Sequence, residues 1–443
     1  MTPITILTVK KKPEHTRKEA IIAAVTGLCM TVGMTASAEF AIRQIADETY
    51  INRTPVISET GLVAWKGFRL GPDATSGSDI FVYRDGERFN LTEGAIEPHA
   101  GNNDPQVHGD AIVWVSTITT RPREHTWVLR DPPLDPDMPE PDARFAVADG
   151  ADNPPERQIL RKVGGTNFIE EVEGETPTGR SRRSPSGDNE IMYWDGNEIM
   201  RITADGRNDL APGFWGDTIA WQKARGWPYG WEIMVWADGH RMQMTTNYYY
   251  DMAPRVHDGQ VVWYGWDGSD YQIFLYDHEA GTTTQITDNS HDDVSPRNWG
   301  GEVVWEGFPT MHSDIFLWRD GEIIQLSDNV EDDLNPQIWD GQVVWQSFDG
   351  DFFQIYHFDG NETVRLTNTR YDNVNPQIRD GVITWMGYVD NYDAEIFAWT
   401  GGPDPIRLTE NDYEDQHPRT AGGRIVWQAD FDGQSHIFLA EPR

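Results

Sequence analysis

Apolar residues in this chain fall into short, nearly continuous runs, broken by Gly, Asp, Asn and Pro, and the runs recur in a fixed order. DDLNPQIWDGQVVW ends at Trp345, DDVSPRNWGGEVVW at Trp305, DNVNPQIRDGVITW at Trp385, YDMAPRVHDGQVVW at Trp263 and EDQHPRTAGGRIVW at Trp427. Weaker copies end at Trp221, Trp114 and Trp65. From Trp221 onward the anchors are 42, 42, 40, 40 and 42 residues apart. After each Trp comes a second apolar run, such as DIFLWR or QIFLYD. A Gly-containing turn and a third run ending in Leu-Thr or its like follow, as in TVRLTN. Each unit therefore reads as four short strands joined by turns, and the chain after residue 38 shows no sustained helical period.

Four strands repeated every forty-odd residues predict a β-propeller, in which small sheets pack face to face around an axis. Runs apolar on both sides suit sheets sandwiched between neighbours. The recurrent Trp is large enough to fill the gap between blades. Its indole nitrogen needs a partner, and a backbone carbonyl is the expected one. Eight anchors predict an all-β, eight-bladed propeller of four-stranded antiparallel blades, or seven if one weak copy is decorative.

The motif N-P-x-I-x-x-G-x-V-V-W, followed by [DEQ]-I-[FY], a Gly turn and x-L-T, resembles the repeats of TolB-like propellers. The resemblance covers nearly all of the chain after residue 39. It implies a fold and leaves function open, because such repeats serve many roles. Oligogalacturonate lyases, which use metal-bound His, resemble the same propellers. No motif in this chain places their residues.

The ends of the chain fit a ring. Residues 1–38 carry Lys10, Lys11, Lys12, Arg17 and Lys18, then an apolar run from Ala20 to Met34, then Ala36-Ser37-Ala38. That is the pattern of a cleaved export signal, with periplasmic or secreted destination and no membrane insertion afterwards. The single Cys29 lies inside it, so residues 39–443 hold no thiol for a disulfide or a zinc-thiolate site. Residues 39–47, EFAIRQIAD, match the outermost run that the C-terminal unit lacks. They are expected to complete the last blade. One propeller domain thus spans 39–443, interrupted at 131–189 by a Pro-rich insertion expected to be largely irregular and to hang over one face as a lid.

Charge narrows the partners. The chain carries a formal charge of −36, and after residue 38 only Lys66, Lys162 and Lys223 remain as lysines. Such a surface disfavours nucleic acid and suits solvation, cations or a basic partner. In an antiparallel blade the fourth-to-first and second-to-third loops share a face. Here those loops are acidic and aromatic.

Candidate binding residues follow from that face. Asp209, Asp251, Asp293, Asp333 and Asp415 each stand three residues before the Pro that opens an innermost strand. Two readings are open: loop-shaping side chains bonded to nearby backbone, or a ring that draws a cation such as calcium to the channel mouth. Arg255, Arg297 and Arg419 follow the Pro and are placed to face the channel, with internal pairing to Asp the plainer expectation. Tyr250, Tyr264 and Trp266 suit sugar stacking. HExxH, GxSxG and phosphate-loop motifs are absent, so no catalytic residue is assigned and the metal ligands are unknown. The sequence reading is a non-catalytic, monomeric propeller that binds a cation, glycan or protein partner through its acidic face. The alternative is a polysaccharide-active enzyme, lyase or glycoside hydrolase, with its site at the channel mouth under the insertion.

Overall fold

The computed structural model describes residues 40–46, 49–69, 77–93, 101–118, 158–163, 166–169, 188–225, 230–247, 249–389 and 393–443. The chain divides into two units, Met1–Ala38 and Glu39–Arg443. The export signal and its cleavage site lie outside the described residues. The second unit is built of β-strands paired into four-stranded antiparallel blades. A representative blade has strands Asp293–Trp299, Glu302–Gly307, Asp314–Arg319 and Glu322–Gln325 from the axis outward. The innermost strands are Tyr50–Ile57, Gly101–His108, Asp209–Trp215, Asp251–His257, Asp293–Trp299, Asp333–Trp339, Asn373–Arg379 and Glu414–Ala421. They head blades 1 to 8 in chain order. Each innermost strand lies against the next, and that of blade 8 lies against that of blade 1. Blades 1 and 2 also share one parallel bridge, Ser78 to Gly101.

The ring closes as the sequence suggests. Phe40–Gln44 pairs antiparallel with the last strand, with Ile42 opposite Ala440 and Gln44 opposite Phe438. Blade 8 therefore takes three strands from the C-terminus and one from the N-terminal end, which removes the free edge that blade would otherwise present. Of the insertion, the described residues include a hairpin, Gln158–Val163 and Thr166–Ile169, that pairs with the outermost strand Ile199–Arg201 of blade 2. The expected irregular lid is thus, over these residues, a regular extension of one blade away from the axis.

Repetition of sequence becomes repetition of contacts. The eight anchoring Trp side chains are all at most 1% exposed. In six blades the indole stacks on an aromatic of the third strand, as Trp305 does on Phe316 at 5.9 Å between ring centres. The Leu-Thr motif has a mechanical role. Thr or Ser hydroxyls at 92, 203, 245, 287, 327, 367 and 409 each accept the backbone N–H of the Ile opposite, stitching the outermost strand to the third. A bulge breaks the register of every innermost strand, for example between Val294 and Arg297. The residue just before each Pro sits in the left-handed region: Thr54, Asp104, Ala211, Ala253, Ser295, Asn335, Asn375 and His417, with φ between 51° and 57°. A non-Gly residue there costs on the order of 1–2 kcal/mol. Four of these bulges are steadied from the preceding blade. Gln222, Glu306, Gln346 and Gln428 accept the N–H of Ala253, Asn335, Asn375 and Thr54. The last of these ties blade 8 to blade 1.

Candidate functional site

The five candidate aspartates do not form an open ring. Asp209, Asp251, Asp293, Asp333 and Asp415 are at most 2% exposed. Oδ1 of each accepts the indole N–H of the anchoring Trp of its own blade, at 2.7 to 3.2 Å. In the other three blades Asn52, Asn102 and Asn373 take the same bond from Trp65, Trp114 and Trp385. The indole partner is therefore a side chain rather than the expected backbone carbonyl. In four blades the second carboxylate oxygen accepts from an Asn four residues earlier: Asn247, Asn289, Asn329 and Asn411. That Asn, rather than the Asp, shapes the loop, accepting the N–H of the residue two positions on. Burial pushes the carboxyl groups up, Asp251 to about 6 and Asp415 to about 7.

No metal site emerges from the acidic loops. Among the described residues no three His, Cys, Asp or Glu side chains gather as ligands. His291 faces Asp293, His312 faces Asp332, and His436 bonds Gln44 in the closing blade. The acidic Asp349-Gly350-Asp351 segment is an ordinary turn, the Asp349 carboxylate accepting the N–H groups of Asp351 and Phe352 and pairing with Arg365.

The axis itself holds a different constellation. A cavity of about 240 Å³ is lined by Gln106, Arg255, Arg297, Gln337, Gln377 and Arg419, one from each of blades 2 and 4 to 8. Residues two apart on a strand share a side, so the next axial layer is Trp215, His257, Trp299 and Arg379. Each axial Arg donates from Nη1 to the carbonyl of the Pro before it, at 2.8 to 3.0 Å. The expected Arg–Asp pairing is not found: the aspartates serve the indoles, and none of the three Arg forms an ion pair with a described residue. Burial lowers all three guanidinium pKa values, and Arg255 adds its repulsion to both Arg297 and Arg419.

At one end of the channel a cation meets two indole rings. Arg379 of blade 7 lies 4.5 Å from the ring centre of Trp215 on blade 3 and 4.6 Å from that of Trp299 on blade 5. Its Nη2 is 3.6 Å from Glu59, in the turn after the inner strand of blade 1. His257 packs between the two Trp rings, at 4.3 and 4.0 Å. Burial and Arg379 depress its pKa to about 4, so it stays neutral. At the other end lie the bulges, where His417 is exposed beside Arg419. From Arg255 an aromatic group leads outward. Tyr264 feels the Arg255 charge, packs against Tyr271 at 5.3 Å, and Tyr271 meets Trp266 at 5.2 Å. Tyr249 and Tyr250, 43% and 44% exposed, lie in the adjoining loop. The sequence reading thus placed the channel Arg and the aromatics together but missed Arg379, Trp215, Trp299 and His257, which occupy one position near the end of successive inner strands.

No family model and no curated protein matches the chain. Solved structures do. A prolyl endopeptidase is 8% identical with a TM-score of 0.51, covering 89% of this chain and 55% of its own. The β-propeller domain of the trilobed protease from Pyrococcus furiosus is 12% identical, TM-score 0.47, covering 78% and 94%. TolB from Acinetobacter baumannii is 13% identical, TM-score 0.34, covering 57% and 76%. The chain spans about half the length of the prolyl endopeptidase it matches. These likenesses establish the fold. They also correct the expectation of a non-catalytic binding protein, because the fold is shared with a prolyl endopeptidase. The architecture is a β-propeller with a fold-level resemblance to TolB-like repeats.

Proposed function

We propose that the protein is an exported saccharide-active enzyme, lyase or glycoside hydrolase, whose site is the end of the axial channel at the bulges. The observation that carries this reading is the aromatic group Tyr264, Tyr271 and Trp266, which starts from Tyr264, near enough to feel the charge of Arg255 in the polar axial cavity of about 240 Å³. Aromatic faces take the apolar side of a sugar ring, and a small cavity with convergent polar groups orients the reacting unit. His417 is the group suited to proton transfer. Partial desolvation, chiefly, and the neighbouring Arg419 lower the pKa of this solvent-accessible ring, which favours the free base. Export follows from the basic, apolar and Ala-Ser-Ala pattern of residues 1–38. No helix among the described residues is long and apolar enough to cross a membrane.

The test is release of new reducing ends or unsaturated ends from a panel of neutral and acidic polysaccharides. Turnover is expected to fall about 10²-fold or more in His417→Ala. It should fall mainly through KM in Tyr264→Ala. No release from any member of the panel would overturn the reading.

A further inference from the structure

We infer that the axial channel is an anion site, built by Arg255, Arg297 and Arg419 to hold a carboxylate or comparable oxyanion. The fold itself does not require a charge at this position. Blade 7 has Gln377 where blades 4, 5 and 8 have Arg. Gln377 donates to the carbonyl of Pro376 at 2.7 Å, the same bond the three Arg make to Pro254, Pro296 and Pro418. Gln337 and Gln106 occupy the position in blades 6 and 2. An uncharged side chain therefore satisfies the strand, and the three positive charges add nothing to its hydrogen bonding.

Those charges are costly where they stand. Taking a guanidinium out of water is unfavourable unless a carboxylate or other anion faces it. Here no described carboxylate pairs with any of the three. Glu306 is the one acid whose charge reaches Arg297, and it already accepts the bulge N–H of Asn335 at 2.7 Å. The three Arg sit on blades 4, 5 and 8 and line the same cavity, close enough that Arg297 feels the charge of both Arg255 and Arg419. Planar guanidinium forks match the oxygens of a carboxylate, sulfate or phosphate. The chain as a whole is strongly acidic, with a net charge of −36, so a cationic axis is a local reversal rather than a general property. Arg379, held between Trp215 and Trp299, adds a fourth cation at one end of the same cavity.

The inference rests on the saccharide reading only in its last step, that the anion is the acidic group of the substrate. Anion binding itself is measured without turnover. Thermal melts of the native chain in citrate, sulfate and glucuronate, each against sodium chloride of equal ionic strength, are expected to rise by about 2–4 °C at saturation. The triple variant Arg255→Gln/Arg297→Gln/Arg419→Gln keeps the bond to each Pro carbonyl. It is expected to fold, to melt higher than the native chain without anion, and to lose the anion-specific rise. Calorimetric affinity for citrate should fall about tenfold or more. A shift no larger than that of chloride, or an equal shift in the triple variant, would overturn the site. A larger rise with glucuronate than with sulfate makes the ligand a carboxylate; the reverse makes it an inorganic oxyanion. The failure modes separate cleanly. Turnover of neutral saccharides without anion binding removes this inference and leaves the proposed activity. Anion binding without turnover of any saccharide removes the activity and leaves the site.

Discussion

At Asp415 a single carboxylate links folding to pH. Its pKa is pushed up to about 7 by burial, chiefly, with the nearby Glu395 adding repulsion. The folded chain therefore holds that proton more tightly than the unfolded chain. The stability this contributes is complete below about pH 4 and is lost as pH rises through 7. Asp251, raised to about 6, acts in the same direction. The chain contains its own control, since Asn373 accepts the bond from Trp385 without carrying a titratable group. Asp415→Asn is expected to keep the indole bond, to flatten the fall of urea midpoint between pH 5 and 8, and to gain about 1–3 kcal/mol at pH 8. An unchanged slope would mean that the carboxylate titrates normally. A second residue-scale test is Gly307. A Cβ there would stand 2.6 Å from Asp293 Oδ1 and 2.7 Å from the Phe316 ring. Gly307→Ala is expected to cost about 1–3 kcal/mol in chemical denaturation, with no effect on the axial residues.

Within an element, what the sequence made legible was whatever repeats with one side chain. The Trp, the Leu-Thr hydroxyl and the strand supplied by Phe40–Gln44 each have a fixed residue type in a fixed place, and each was readable before the fold was known. The indole acceptor was harder. Asp and Asn in front of a Pro signal a loop-shaping side chain, and nothing local says that a Trp twelve residues on needs that oxygen. The channel end was hardest. Trp at 215, 299 and 339 and His at 108 and 257 recur three residues after the Pro, which was the available signal, but that Arg379 meets two of these Trp depends on blades facing across the axis. The closing strand supplies the element-scale prediction. Deleting residues 40–46 leaves the last strand Gln434–Pro442 with an unpaired edge. The truncated chain is expected to self-associate on size exclusion and to melt lower, because an open apolar edge templates pairing.

For the whole molecule, one residue at one end of the axis ties together blades that are not neighbours. Arg379 draws together blades 1, 3, 5 and 7 through Glu59, Trp215 and Trp299. Contacts of this kind are worth roughly 0.5–2 kcal/mol each when desolvated. Arg379→Ala is expected to lower stability by a similar amount and to raise acrylamide quenching of the indole emission. Unchanged quenching would mean that the Trp pair is shielded without it. Arg379→Lys should recover charge but only part of the shielding, because an ammonium lacks the flat face that lies against two rings.

The bulge before each Pro carries a consequence for how such a protein can change. Its backbone is the same in all eight blades, while its side chains are Thr54, Asp104, Ala211, Ala253, Ser295, Asn335, Asn375 and His417. Acid, base, amide, hydroxyl and methyl all occupy an equivalent backbone setting around one end of the axis, so the framework is indifferent to what each position displays. Chemistry at the rim can then be rewritten one socket at a time, like keys on a dial, while the inner strands that carry it stay as they are.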